Sequence, residues 1–262
     1  MYPTNLHLTI GLTTRKERVK VFKAIENKLE VWRRNRRLLR KLRSQEKITS
    51  QYIFSYKSNA RENQDLFILS VLNKKRNGTY VEIGAEQPII NSNTFLLENE
   101  FGWRGISFEW DSEFSSQHLL TRKTPCVCAD ATTINYDEMF QKYNLGPHID
   151  FLQLDIDPPS NTFKALNQID FSKYSFSVVT YEHDLYAGGK IERESSRRSF
   201  ESYGYTRVIS DVMNGKRVFE DWYVNERHMP NDAWKNFVGN RIKMNTANLS
   251  KKHIQLFNEL LQ

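Results

Sequence analysis

This 262-residue chain carries only two cysteines, Cys126 and Cys128. They lie two apart in one apolar run. On a strand, residues at that spacing point to the same face and sit poorly for a disulfide. A disulfide-built scaffold is excluded, and a reducing, cytoplasmic compartment is the reading that fits. Long apolar runs are missing too. Nothing approaches the roughly 20 residues of a membrane-spanning helix, and Leu6 to Leu12 is too short and too broken by polar residues for a secretory signal. There is no internal repeat and no low-complexity tract. With 39% hydrophobic residues, the chain can bury one full α/β core.

Glycine is also scarce, and one place shows what that excludes. The run Thr79 to Ile83 reads as a buried strand ending in a turn at Gly84-Ala85. A second strand, Gly105 to Glu109, ends in an acid about two dozen residues later. A glycine turn followed by an acid at the next strand tip is the geometry of a nucleotide-type cofactor site: the glycine admits a close ligand and the acid takes ribose hydroxyls. The dinucleotide fingerprint needs three glycines, and this turn has Gly84 alone. A pyrophosphate cradle is therefore disfavoured. The ligand expected has an adenosine and no phosphate, which describes S-adenosylmethionine.

A regular series follows. Pro125–Asp130, Ile149–Asp157 and Tyr174–His183 are short apolar or β-branched runs, each ending in a polar residue. Helical spacings lie between strands, as in Asn93–Glu100 and Tyr136–Tyr143. Alternating strand and helix predicts a mostly parallel sheet covered on both faces, with ligands outside the carboxyl ends of the strands. Glu220 to Tyr223 reads either as a sugar-binding aromatic strand or as part of a closing antiparallel hairpin, the second being preferred.

Several ordered motifs resemble the FkbM-type S-adenosylmethionine-dependent methyltransferases. They are Tyr80-Val-Glu-Ile-Gly-Ala85, Asn91-Ser-Asn-Thr-Phe-Leu-Leu-Glu98, Gly102-Trp-Arg-Gly-Ile-Ser-Phe-Glu109, Leu154-Asp-Ile-Asp157 and Val179-Thr-Tyr-Glu-His183. Tyr203-Gly-Tyr205 and Phe219 to Trp222 extend the likeness, which covers roughly residues 78 to 225. It implies a class I Rossmann-like fold, a mostly parallel seven-stranded sheet with helices on both faces. It also implies methyl transfer to oxygen, most often on a sugar of a glycan. Many members carry a second glycine near the position of Pro88; this chain has Glu86-Gln87-Pro88. By position, Glu82 and Gly84 would lie beside the methionine portion, and Asn93 would hold its carboxylate or cap the following helix. Glu109 would accept the ribose hydroxyls. Asp130 and Ala131 would contact adenine, with a cap of a helix near Thr132 as the plainer role of Asp130. Asp155 would face the amino group and the transfer site.

Two groups are candidates for taking the acceptor proton. His183 has the right intrinsic pKa for a base. Asp155, Asp157, Glu182 and His183 together could instead hold Mg or Mn, since carboxylates with one imidazole suit such ions. A satisfied structural histidine is the third reading. Asp157-Pro158-Pro159-Ser160 resembles the turn of base-modifying amino-methyltransferases, but Ser160 stands where an aromatic would stack on a flipped base. Nucleic-acid or small-molecule N-methylation is thus the alternative. A binding module that keeps the fold without catalysis is the rival from another class.

Charge is uneven. Residues 15–47 hold fourteen Lys or Arg against four Asp or Glu, so +10 of the net +7 sits there and the remainder is about −3. Apolar residues at Phe22, Ile25, Leu29, Trp32 and Leu39 predict an amphipathic helix. It can pack on the catalytic domain or on a second subunit, lie on an anionic membrane, or bind nucleic acid. The expected organisation is a basic helical extension over 1–50, a methyltransferase domain over 51–240 and a C-terminal helix over 241–262.

Overall fold

The computed structural model describes residues 57–238. The predicted N-terminal and C-terminal helices lie outside them. Seven strands form one sheet in the order β3-β2-β1-β4-β5-β7-β6. They are β1 (Thr79–Ile83), β2 (Arg104–Glu109), β3 (Cys126–Cys128), β4 (His148–Leu154), β5 (Ser175–Glu182), β6 (Thr206–Asn214) and β7 (Arg217–Val224). The first five run parallel; β7 is inserted antiparallel between β5 and β6. The preferred reading of Glu220 to Tyr223 as part of a hairpin matches this arrangement. Its acids and aromatics are buried, so they form no open sugar platform.

Among the described residues six helices cover the sheet: α1 (Gln64–Val71), α2 (Phe95–Phe101), α3 (Ser112–Thr121), α4 (Tyr136–Lys142), α5 (Pro159–Asn167) and α6 (Lys190–Ser202). Strand alternation divides the core in two. Tyr80, Phe151, Val178 and Trp222 pack with α1 and α2. Val81, Leu152, Val179 and Tyr223 pack on the other face with α4, α5 and α6. Both faces of each central strand are buried, which is why these strands read as near-continuous apolar runs.

Local chemistry sets the element ends. Asp111 caps α3 by accepting from Glu113 N at 2.7 Å, and Asn135 caps α4. Helix α4 begins at Tyr136, so Asp130 is not a cap of a helix near Thr132. Pro159 at the first helical position starts α5, where its missing N–H costs nothing. The two cysteines are free, Cys126 buried and Cys128 exposed. No helix among the described residues is long and apolar enough to cross a membrane.

Candidate functional site

The turn after β1 is shaped from three sides. Gly84 has φ +84°, and a Cβ there would lie 1.6 Å from the Asp155 carbonyl oxygen. The sheet itself therefore demands glycine, because the ends of β1 and β4 meet at this point. Gly84 N and Ala85 N both donate to Phe108 O, at 3.0 and 3.2 Å.

The rest of the loop is held by Arg122, just past α3. Its buried guanidinium donates to Glu98 Oε2 at 2.8 Å, Pro88 O at 2.9 Å, Thr94 Oγ1 at 3.0 Å, Tyr80 Oη at 3.1 Å and Ser92 Oγ at 3.2 Å. His118 lies under the same loop against the backbone of Ala85 and Glu86. Burial, with Arg122 beside it, pulls its pKa down to about 4, so it stays neutral. A rigid arginine fork thus fixes a loop that lacks the second glycine.

Glu82 belongs to this support. It is 1% exposed and accepts from Ser107 Oγ at 2.7 Å and Thr94 Oγ1 at 2.9 Å. It does not line the cavity described below. Asn93 is buried, and its Oδ1 has no donor among the described residues. Nor is it the helix cap: Ser92 Oγ accepts from Phe95 N at 3.1 Å.

A cavity of about 450 Å³ opens at the carboxyl ends of β1 to β4. It brings together Gly84, Glu109, Asp130, Ala131, Asp155 and Asp157 from the predicted set. Glu82, Asn93, Glu182 and His183 are not among its lining residues. Glu109 is oriented by backbone: Oε2 accepts from Glu86 N at 2.7 Å and Oε1 from Asp111 N at 2.8 Å. A carboxylate offers about four acceptor positions, so Glu109 has room for two further donors. Asp130 is drawn into a local turn through Thr132 N at 2.8 Å and Thr132 Oγ1 at 2.7 Å, and these bonds lower its pKa. Burial raises the Asp155 carboxyl, with Glu182 hydrogen-bonded to it.

Trp110 was assigned no role from sequence. It is 73% exposed and lines the cavity beside Glu109. A large aromatic immediately after the strand-tip acid was the available signal. Glu109, with acceptor capacity to spare, and the aromatic Trp110 beside it fit an adenosine-bearing ligand in the cavity.

The expected metal set does not assemble. Glu182 and His183 are neighbours on a strand end, so they diverge to opposite faces. His183 is fully buried on the α6 face, with Nε2 at 3.6 Å from Asp221 and 3.9 Å from Asp211. Its Nδ1 accepts from Leu185 N at 3.3 Å. Among the described residues, His183, Asp211 and Asp221 are the group compact enough to hold a metal ion. Two arginines already occupy those carboxylates: Arg197 binds Asp221 at 2.6 Å and Asp211 at 2.8 Å, and Arg193 binds Asp211 at 2.6 Å. The trio is a structural network that ties α6 to the hairpin, and His183 is not at the cavity as a base.

No family model matches this chain, and neither does any curated protein sequence. Solved structures resemble it at low identity. An rRNA methylase from Streptococcus thermophilus is 12% identical, with 66% of this chain and 99% of that chain covered and a TM-score of 0.41. The methyltransferase domain of METTL16 is 13% identical over 62% and 79%, with a TM-score of 0.40. An O-methyltransferase from Bacillus cereus in complex with SAH is 12% identical over 70% and 88%, with a TM-score of 0.40. The seven-stranded, mostly parallel sheet with an antiparallel strand inserted between β5 and β6 is a Rossmann-like α/β fold.

Proposed function

We propose that this protein is an S-adenosylmethionine-dependent methyltransferase of the FkbM type, acting on a sugar hydroxyl. The observation that carries the reading is Glu109. It stands at the tip of β2, oriented by two backbone N–H groups at the mouth of a cavity and with acceptor capacity to spare. In this reading Glu109 accepts both ribose hydroxyls, and Trp110 and Ala131 flank the adenine. Asp155 takes the methionine end.

The cofactor supplies a methyl group already activated on a sulfonium. The protein's own work is alignment and removal of the hydroxyl proton. Asp155 is the lining residue suited to the second task, because burial raises its pKa and so makes it a stronger base than an exposed carboxylate. No aromatic stands at Ser160, which weighs against a flipped nucleobase as the acceptor.

Calorimetry with S-adenosylmethionine tests the assignment. Micromolar-range binding is expected in the wild type; preference for NAD, or no binding, would sink it. The basic segment 15–47 would give the domain an electrostatic hold on anionic membranes, where glycolipid acceptors reside. Salt-reversible pelleting of the full chain with anionic vesicles checks that part.

A further inference from the structure

On the α1 face of the sheet, three carboxyls stand in a row at the strand ends. Asp155 follows β4, Glu182 ends β5, and Glu220 on β7 is its direct partner in the antiparallel register. Glu182 is hydrogen-bonded to both Asp155 and Asp184. Glu62, from the turn before α1, acts electrostatically on Glu220. Gln64 joins these two, accepting from Glu62 N at 2.9 Å and donating to Glu220 Oε2 at 3.0 Å.

Compensation is thin. Arg61, whose charge acts on Asp155 and Glu62, is half exposed and also paired with Glu86 at 3.6 Å. Both carboxylate oxygens of Glu62 and the Oδ1 of Asp184 are buried and accept from no donor among the described residues. Glu62 is 0% exposed and Asp184 4%. Burial raises all five carboxyls, Glu62 to about 7 and Glu220 to about 8. Buried acid oxygens without donors are costly to a fold, and those of Glu62 and Asp184 Oδ1 are left in that state among the described residues.

We infer that this cluster receives a cationic amine of the acceptor, so that the substrate is an amine-bearing hydroxyl compound such as an amino sugar. The inference rests on the methyl-transfer reading and narrows it. An ammonium brings one charge and three N–H donors, and those are what the orphaned oxygens lack. A metal ion suits the cluster less, because the described group compact enough for one lies on the other face. Asp155 is the member of the five that lines the cavity, so the cofactor's own amino group would leave the other four unmatched. Asp157, also on the cavity wall, acts electrostatically on Asp155 and Asp184, so the side of the cavity next to the cluster is acidic.

The test uses the full chain saturated with S-adenosylhomocysteine. Calorimetry compares glucosamine with glucose, and ethanolamine with ethylene glycol. At least tenfold preference for each amine is expected. The preference should vanish in Glu182→Gln/Asp184→Asn and shrink in Glu62→Gln, while S-adenosylhomocysteine affinity is unchanged in all three. The amides keep the side-chain shape, and Glu62→Gln provides a reading if the double variant fails to fold. Equal binding of amine and neutral partner, no binding of either, or a preference that survives in the variants would overturn the inference and leave methyl transfer standing. Mn binding that glucosamine cannot displace would overturn it in favour of a metal. Failure of S-adenosylhomocysteine itself to bind would sink the methyl-transfer reading, and this inference with it.

Discussion

Asp221 and Glu220 are adjacent on β7, equally buried, and opposite in behaviour. Asp221 faces α6. Burial works to raise its carboxyl, but the hydrogen bonds from Arg197, with His183 3.6 Å away, overcome this and hold it well below the usual carboxylate range. Glu220 faces α1. Burial dominates there, the bonds from Trp222 and Gln64 are neutral ones, and the carboxyl is pushed up to about 8. Burial alone therefore does not mark an acid as functional. Asp221, which serves the fold, is given a guanidinium bond; Glu220 and Glu62 across the sheet are given none. The sheet separates the two kinds by a one-residue alternation.

The sharpest way to break this contrast is to remove the partner on the satisfied side. Arg197→Leu leaves Asp221 buried and unmatched, which costs about 3–5 kcal/mol. Urea unfolding at pH 7 should show a loss of that size, and a loss under 1 kcal/mol would mean the network is not holding the hairpin.

The pH dependence separates the two acids next. Glu220 binds its proton more tightly folded than unfolded, its carboxyl rising from the ordinary 4.5 to about 8. Stability should therefore fall as pH rises through that window, by about 1.4 kcal/mol per pH unit for this group. Glu220→Gln should remove that slope. Asp221 has the opposite sign: its contribution is present above the ordinary value of 3.8 and is lost as pH falls below it. A Glu220→Gln curve that keeps the wild-type slope would show that another group carries it.

The cofactor side offers a third treatment, a half-buried acid tied by backbone. Glu109→Ala removes an acceptor of two hydroxyls. Hydrogen bonds to charged groups are worth about 1.5–3 kcal/mol, so S-adenosylhomocysteine should bind at least ~10-fold more weakly. Trp110→Ala should cost less, about 1 kcal/mol at the low end of base stacking. The smallest change is expected from His183→Gln, where cofactor affinity stays at the wild-type level. A large loss of affinity there would return His183 to the site.

Much of the fold was legible. The runs around Val81, Phe108 and Val179 are buried on both faces, and such strands announce themselves by composition alone. Gly84, Glu109, Asp130, Ala131 and Asp155 could be placed at one sheet edge, because alternating strand and helix brings strand ends together. His183 could not be placed: the last residue of a strand run points either way, and one step of register decides between cavity and core. Glu220 was read only as part of the β7 hairpin strand and Glu62 was assigned no role, because the two come from opposite ends of the domain and share no pattern. Arg122 stands just past α3 with nothing in its neighbours to mark it. Long-range partners of that kind leave no periodicity to read.

Arg122 also bears on how this site can be moved between proteins. The bends of residues 84–94 are not stored in those residues alone, since they have no glycine after the first turn. Much of their shape is written some thirty positions downstream, in one side chain at the far end of α3 that grips Pro88, Ser92 and Thr94 at once. A chimera that grafts the loop onto another sheet would carry the casting without its mould. One that grafts residues 79–124 as a block would bring both.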